Sequence, residues 1–377
     1  MNPGEREVLA RQIAQFEAMH PPWTVATVYK ETEQLRSAFI IAGLARQGPD
    51  IVHGPSDNIG VFHAMGIVLP LDELLPQDYL ALFDPKALTR FDGRLYQIAD
   101  KLGNHLALVY NRALLPQAPE TLAELIEAGR RATRDLDGDG RTDQYGLVWN
   151  YIEPYFFIPF LTGFGGWVMD GEGRPTLDTE PMVRALAFIR DLRDRHAIVP
   201  READYNIADT LFKEGRAAML INGDWSWKGY LDAGLDIGVA PLPRNDETGL
   251  WCAPMISPKG ASINAEVRPE KLPMVLEFVR FLNEPAEQLA VTREVRTMPT
   301  RREALAAPVL QDDPILRGSA RQIELGRPMP VVPAMRAIWD AMRPAYQSVL
   351  NGSLEPREAA AQMQHAAERL IREMEEG

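Results

Sequence analysis

The chain has 377 residues, which at roughly one domain per 150 residues predicts two or three domains. Lys and Arg number 40 and Asp and Glu number 53, so the net charge is −13 and nucleic acid is excluded as an expected partner. The contents of hydrophobic residues, 46%, and charged residues, 25%, are ordinary for globular proteins and exclude a disordered or fibrous chain. Cys252 is the only cysteine, which excludes an intrachain disulfide and a cysteine-ligated metal cluster.

The N-terminal part of the chain predicts alternating helices and strands. Residues 4–19 are predicted to be a helix because Leu9, Ile13 and Phe16 share one face. Residues 23–29, rich in Val and Thr, predict a strand. A second helix and a second strand are predicted at residues 31–45 and 49–52. This alternation indicates an α/β domain with a largely parallel sheet.

The beginning of this alternation is unusual, because a doubly wound unit normally starts with a strand. We therefore expect that a strand preceded Met1. The first residues also lack a basic region followed by an apolar one, so they do not predict a signal peptide. No apolar run reaches the roughly 18 residues that would predict a membrane span.

The remaining elements continue the alternation to the end of the chain. Apolar residues at helical spacing predict helices at residues 122–134, 181–196, 272–282, 334–350 and 356–374, and the start of another at residue 208. Short apolar runs predict strands at residues 146–149, 217–221 and 237–240.

Motifs for common catalytic chemistries are absent from the sequence. It contains no glycine-rich nucleotide loop, no P-loop, no nucleophile elbow and no HExxH zinc motif. The six histidines are scattered, and we interpret His53 and His105, near predicted strand ends, as structural residues. These absences favour a binding protein over an enzyme.

Aromatic residues beside loops are the strongest functional signal. Residues 149–157 contain five aromatic side chains. Trp225 and Trp227 follow a predicted buried strand, and Trp339 lies in the predicted helix at residues 334–350. Binding pockets combine apolar walls with a few placed polar groups, and sugars present flat apolar faces to aromatic rings. The tryptophans after the strand lie where α/β sheets bind ligands, whereas Phe156 is explained equally well as a core residue.

Six separated segments, in order along almost the whole chain, resemble the maltose-binding protein branch of the extracytoplasmic solute-binding proteins of ABC importers. These segments are residues 48–52, 108–116, 153–156, 163–167, 218–225 and 329–339. Their order makes the resemblance far more specific than any one segment would.

The resemblance implies a two-lobed periplasmic-binding-protein fold of type II in the α/β class, with a mostly parallel sheet flanked by helices in each lobe. It places residues 1–103 and 259–303 in an N-terminal lobe, and residues 104–258 and 304–377 in a C-terminal lobe. A hinge joins the lobes, and the ligand cleft lies between them. The strand expected before Met1 would be the first strand of the N-terminal lobe.

The resemblance also implies ligand contacts. Glu153 would hydrogen-bond sugar hydroxyls, Tyr155 would stack on a ring, and Trp225 and Trp339 would be further stacking platforms. Arg343 would donate hydrogen bonds. The full set expected to bind ligand is Asp57, Asn58, Asn104, Glu153, Tyr155, Phe156, Trp225, Trp227, Trp339 and Arg343.

The first lobe departs from the pattern of this family. Gly54 stands where the family has a tryptophan, Asn58 where it has an arginine, and Asn104 near the position of a glutamate. The aromatic wall of the second lobe is therefore retained while the polar wall of the first lobe is changed. The resemblance consequently does not predict which sugar is bound.

A separate acidic loop has the spacing of a calcium site. Asp135, Asp137, Asp139 and Asp143 fall at positions 1, 3, 5 and 9 of an EF-hand loop, with glycine at position 6. Position 12 is Gly146 instead of the usual bidentate glutamate. Two interpretations stay open, a structural Ca²⁺ site and a solvated loop of Asx turns. No other cofactor is expected.

These observations predict a monomeric, non-enzymatic protein that binds a maltose-like or trehalose-like oligosaccharide and delivers it to the membrane permease of an ABC importer. Hinge closure would trap the ligand, and the protein would be periplasmic or extracytoplasmic, its signal sequence removed by truncation or processing. Two alternatives stay open. One is a glycoside hydrolase that uses Glu153 with Asp57 or Asp224. The other keeps the fold and binds a polyol or other small solute.

Overall fold

Two four-stranded sheets organise the chain, and the computed structural model describes residues 3–376. The strands are β1 (Ile51–Pro55), β2 (Leu88–Phe91), β3 (Arg94–Lys101), β4 (Leu106–Asn111), β5 (Tyr145–Val148), β6 (Ala217–Gly223), β7 (Ile237–Ala240), β8 (Met255–Ile256), β9 (Lys259–Ile263) and β10 (Arg327–Pro328). The first sheet has the order β1-β9-β3-β2 and the second the order β5-β6-β4-β7, while β8 and β10 form a separate pair.

Helices cover both sheets. They are α1 (Pro3–Met19), α2 (Thr32–Leu44), α3 (Ile59–Ala64), α4 (Gln77–Leu80), α5 (Leu122–Ala132), α6 (Ile158–Gly163), α7 (Glu180–Asp194), α8 (Tyr205–Lys213), α9 (Trp227–Asp232), α10 (Leu272–Leu282), α11 (Pro285–Val295), α12 (Arg302–Leu305), α13 (Val309–Asp312), α14 (Pro314–Leu325), α15 (Ala334–Leu350) and α16 (Pro356–Glu376). Short 3-10 helices lie at Ser56–Asn58, Pro85–Ala87 and Pro154–Phe156. No helix among the described residues is long and apolar enough to cross a lipid bilayer.

The strand directions differ from the sequence prediction. Every neighbouring pair in the first sheet is antiparallel, and in the second sheet only β5 and β6 are parallel. The expectation of mostly parallel sheets is therefore wrong. One cause is local: β2 and β3 are joined by a two-residue turn in which Asp92 and Gly93 both have positive φ, the geometry of a tight hairpin.

Residues 23–29 are not a strand in the structure, so that prediction is also wrong. A strand needs a neighbouring strand for its backbone groups, and no described strand pairs with this segment. Val28 is 79% exposed, which shows that its apolar side chain finds no sheet face to cover. Within residues 3–376, β1 pairs only with β9, and its other edge carries no strand.

Each lobe has its own core. In the second lobe, β6 is fully buried and β4 is buried except at Tyr110, and the indole nitrogen of Trp149 donates to the Tyr346 hydroxyl at 3.0 Å. In the first lobe, β3 and β9 provide the centre, and α1 packs against α10 and α11 through Phe16. The predicted lobe boundaries at 103/104, 258/259 and 303/304 stay a prediction.

The chain crosses between the two sheets in short segments without regular secondary structure. One crossing, residues 102–105, joins β3 to β4, and another, residues 257–258, joins β8 to β9. Because β9 pairs with β1 and β3 in the first sheet, its start at Lys259 is also where the chain re-enters the first lobe. These crossings place the candidate site between the lobes.

A buried ion pair fixes α1 to the end of β3 beside the first crossing. The Lys101 ammonium lies 3.0 Å from the Glu5 carboxylate, and the two residues are 4% and 5% exposed. Burial alone would raise the pKa of Glu5, but the positive charges of Lys101 and Lys259 outweigh it and hold that pKa well below its ordinary value.

We expect Glu5→Gln to lower the free energy of unfolding by about 3–5 kcal/mol at neutral pH, because it leaves the Lys101 charge buried without this partner. The pKa of Glu5 is lowered in the folded state, so its contribution is fully present above the pKa of the unfolded chain, about 4.3. It is lost as the pH falls further, toward the folded-state pKa. Urea unfolding of both proteins from pH 7 to pH 3 should therefore show a shrinking difference.

The matched control is Glu7→Gln on the exposed side of the same helix. An equal loss of stability in both variants, or a difference that does not depend on pH, would contradict a specific role for the buried pair.

Candidate functional site

An acidic and a basic side chain meet on the cleft side of the second lobe. Glu153 precedes the 3-10 helix Pro154–Phe156, and its carboxylate lies 3.0 Å from the guanidinium of Arg343 on α15. Arg343 also contacts Asp340, one turn earlier on that helix, at 3.1 Å. The side chains of Glu153 and Arg343 are 43% and 28% exposed, so their remaining hydrogen-bonding capacity faces solvent.

Three half-buried aromatic residues belong to the candidate site: Tyr155 and Trp339, close in sequence to Glu153 and Arg343, and Trp225 just after β6. The ring centroids of Tyr155 and Trp339 are 6.3 Å apart at an interplanar angle of 70°. Trp225 follows the end of β6, where its indole nitrogen donates to the Tyr205 hydroxyl at 3.0 Å. The ring lies so closely over Gly223 that a Cβ there would be 2.0 Å from it. The backbone thus fixes the orientation of the Trp225 ring.

The first lobe contributes the turn after β1. Asp57 and Asn58 lie in the 3-10 helix Ser56–Asn58, and the Ser257 hydroxyl, in the second crossing, lies 3.5 Å from an Asp57 carboxylate oxygen. Asn58 is only 1% exposed, and neither polar atom of its amide has a hydrogen-bond partner among the described residues. An unpaired buried amide is costly, so Asn58 carries hydrogen-bonding capacity that the described residues leave unused.

The two lobes touch across the cleft. A cavity of about 10 Å³ is lined by Arg36, Asp57 and Val61 from the first lobe and by Val332, Arg336 and Trp339, among others, from the second. Beside it, a Cβ on Gly60 of α3 would lie 1.9 Å from the carbonyl oxygen of Val331. The lobes are therefore in contact at this place, and we refer to this arrangement as closed.

Asn104 and Trp227 were both expected to bind ligand, and the structure gives the two residues very different surroundings. Trp227 is completely buried and packs edge-to-face on His105, with centroids 5.8 Å apart, so its ring offers no exposed face for stacking. Asn104 lies in the first crossing with φ of 54°, and the contacts that the structure gives it are made by its backbone. Phe156 is 5% exposed and belongs to the core of the second lobe.

Sequence reasoning missed Arg36 and Arg336, and it gave Asp224 a different role. Arg336 lies three residues before Trp339, on the same face of α15, and this spacing could have identified it. No sequence signal singled out Arg36. Asp224, considered as a hydrolase carboxylate, is buried and accepts the backbone N–H of Asn104 with both oxygens at 3.1 Å.

The acidic loop brings three of its carboxylates together. Oxygens of Asp135, Asp137 and Asp143 lie within 4.8 Å of one another. Asp135 also accepts the backbone N–H groups of Gly138 and Gly140, and Asp143 accepts that of Leu136, so the loop closes partly on itself. The Ca²⁺ site stays a prediction, and Asp139, whose oxygen accepts the N–H of Arg141, is absent from the three-carboxylate group.

Comparison with known families gives an independent result. The sequence model of the family described as bacterial extracellular solute-binding protein matches residues 2–289. Among curated proteins, a maltotriose-binding protein of Pyrococcus abyssi is 29% identical over 358 residues, which are 93% of this chain and 76% of that protein. A galactooligosaccharide-binding protein of Bacillus subtilis is 25% identical and covers 92% of this chain and 82% of its own length.

Solved structures agree with the fold described above. The maltose/maltodextrin-binding domain MalE of Bdellovibrio bacteriovorus, bound to maltotriose, is 44% identical with a TM-score of 0.93, over 99% of this chain and 98% of that one. The Thermus thermophilus maltotriose-binding protein, also bound to maltotriose, is 26% identical with a TM-score of 0.87, over 98% of both chains. These neighbours have the two-lobed type II architecture, which confirms the predicted fold class.

If the acidic loop binds Ca²⁺, the melting temperature in about 1 mM CaCl₂ should exceed that in EDTA, because an ion that binds only the folded state stabilises it. Asp137→Asn should abolish the difference. Asp178→Asn, an exposed acid outside the loop, should retain it. Equal melting temperatures with and without calcium would instead establish a loop of Asx turns.

Proposed function

Because the chain belongs to the bacterial extracellular solute-binding protein family, we propose that it binds a maltooligosaccharide between its lobes and delivers it to the permease of an ABC importer. The relatives that carry maltotriose in their structures or names support this choice of ligand class. A linear α-glucan of three or so rings is the ligand that we consider first.

The observation that carries the proposal is the pairing of the aromatic wall with the Glu153–Arg343 ion pair. Tyr155, Trp225 and Trp339 offer flat apolar surfaces, which match the C–H faces of glucose rings. Beside them, Glu153 accepts hydrogen bonds and Arg343 donates them. A sugar needs both kinds of surface, because each ring has apolar faces and hydroxyl groups around its edge.

The first lobe would complete the site with polar groups. Asp57 can accept a hydrogen bond from a sugar hydroxyl, and the Asn58 amide can both donate and accept one. Because the amide has no partner among the described residues, a sugar hydroxyl would remove a buried unpaired group at no cost in other bonds. These contacts would favour the closed arrangement only when ligand is present.

The mechanism that follows is closure around the sugar. The ligand would bind first to the aromatic wall of the second lobe, and contacts with the first lobe would then shift the population from open to closed. The small cavity lined by Asp57 and Trp339 has too little room for a glucose ring, so the cleft must widen there for sugar to enter.

The family is one of solute-binding proteins, and we propose that this chain releases its sugar chemically unchanged. We further propose that it acts as a periplasmic or otherwise extracytoplasmic monomer without a nucleic-acid partner. Its net charge of −13 supports the last point.

Replacing Trp225 or Trp339 with Ala should weaken maltotriose binding roughly ten- to hundredfold, because truncation of a central aromatic residue in an interface costs about 1.4–2.8 kcal/mol or more. Isothermal titration calorimetry measures the affinity, and chromatography of the recovered sugar should show intact maltotriose. The control is Trp23→Ala in the exposed segment between α1 and α2.

Unchanged affinity in both cleft variants would contradict the proposed site. Failure of the unsubstituted protein to bind maltotriose, maltose or longer glucans would contradict the ligand class, and release of glucose would indicate hydrolysis.

Replacing Asn58 with Leu should separate stability from affinity. The substitution keeps the approximate size of the side chain and removes the buried unpaired amide, so the unliganded protein should be at least as stable as before. Maltotriose affinity should nevertheless fall, since the ligand loses a partner. Urea unfolding and calorimetry test the two halves, and a loss of stability without a loss of affinity would show that Asn58 is structural.

A further inference from the structure

The first crossing between the lobes contains a strained residue. Asn104, between β3 and β4, has φ of 54°, in the left-handed region that asparagine enters more readily than most residues. A hinge residue in this conformation directs its neighbours along a sharply changed path. Such a conformation persists only where the surroundings hold it.

Two side chains of the second lobe hold the Asn104 backbone. The Asp224 carboxylate, 3% exposed, accepts the Asn104 N–H with both oxygens at 3.1 Å. On the other side, the Tyr155 hydroxyl donates to the Asn104 carbonyl at 2.5 Å. That hydroxyl also lies 3.2 Å from the carbonyl of Met255 in β8, just before the second crossing, so the two crossings meet at Tyr155.

The neighbouring glycine shows how closely Asp224 approaches the crossing. A Cβ built on Gly103 would lie 1.6 Å from an Asp224 carboxylate oxygen, so any larger residue at position 103 would displace the carboxylate. Gly103 has no positive φ in this structure, so the need for glycine comes from this contact alone. Asp224 and Gly103 therefore form one packing unit.

Asp224 also lies next to Trp225, one of the rings proposed to stack on the sugar. Trp225 follows it directly and is held by Tyr205, while the side chain of Asn222 donates to the Tyr230 hydroxyl at 2.7 Å. The segment carrying Asp224 is thus anchored to the second lobe. The negative charge of Asp224 also acts on Lys101, at the first-lobe end of the crossing.

We propose that Asp224 is a positioning residue that couples sugar binding on Trp225 to the angle of the hinge at Asn104. This inference rests on the proposed function and adds to it a residue that touches no sugar. In the closed arrangement the carboxylate holds the Asn104 N–H and fixes the path of the crossing. Without it the closed arrangement loses a charge-assisted hydrogen bond, and closure around the sugar becomes less favourable.

The test is a double-mutant cycle on maltotriose affinity, with Gly103→Ala, Asp224→Ala and the double variant. Each single variant should weaken binding roughly tenfold, the size expected when one hydrogen bond to a charged group is lost from the closed state. The double variant should be no weaker than Asp224→Ala, because the alanine then has no carboxylate to displace. Asp224→Asn, which keeps an acceptor oxygen, should show a smaller loss and serves if Asp224→Ala does not fold.

The control is Gly171→Ala, since no heavy atom lies within 4 Å of a Cβ there and its φ is not positive. Small-angle scattering at saturating maltotriose provides a second readout: the compaction of the unsubstituted protein should be reduced in the variants. A purely structural role would lower the free energy of unfolding while leaving affinity and compaction unchanged, and that result overturns the inference. Additive losses in the double variant also overturn it.

Failure of this inference and failure of the proposed function give different results. If the unsubstituted protein binds no maltooligosaccharide, the proposed function fails and this inference fails with it. If it binds and the Asp224 and Gly103 variants bind equally well, only the inference is overturned.

Discussion

The arrangement of the two lobes depends on which groups pair with the backbone N–H and C=O groups of the crossing segments. Where the chain runs between sheets it has no neighbouring strand, yet its N–H and C=O groups lie in the interior and need partners. Side chains supply them at Asn104: Asp224 accepts the N–H and Tyr155 donates to the carbonyl. Burial and the charges of Asp224 and Asp57 raise the pKa of Tyr155 well above its ordinary value, so its hydroxyl stays a donor at physiological pH.

This constraint gives the lobes different roles. The second lobe carries the rigid features, namely an aromatic wall fixed by glycine contacts and by hydrogen bonds among Trp225, Tyr205 and their neighbours. The first lobe presents polar groups on a short turn after β1, where Asn58 is buried without a partner. Under the proposed function, stacking would provide an initial binding surface, and the Asn58 amide would gain a partner when a ligand lies between the lobes. Such a division favours closure driven by ligand.

Helical segments were predicted well from the sequence because their apolar residues repeat at a period that local packing reproduces. The structure confirms α10 and α15 over the residues expected, and β7 as well. Strand pairing was not predictable, because direction and neighbours depend on contacts distant in sequence. Residues 23–29 have the composition of a strand and lack a partner, whereas β9 enters the first sheet from the other lobe.

In the candidate site, too, contacts between residues distant in sequence could not be predicted. Family resemblance suggested Glu153, Arg343 and the aromatic wall; in the structure Glu153 meets Arg343 and Tyr155 lies beside Trp339, and their role in binding stays a prediction. Position after the predicted strand could not distinguish Trp225 from Trp227, since both follow β6; Trp227 begins α9 and its side chain is buried. Nor did the sequence show that Asn104 makes its contacts through its backbone, although asparagine enters the left-handed region more readily than most residues.

Close contacts at two glycines limit how the lobes can be arranged. At the cleft, Gly60 meets the carbonyl of Val331, and at the crossing Gly103 meets the Asp224 carboxylate. Long side chains could adjust to intermediate angles between the lobes. A close contact at a glycine is instead either made or broken. Packed interfaces with such contacts have discrete arrangements instead of a continuum. The glycines at both ends of the interface therefore favour two states, open and closed, between which a bound sugar selects.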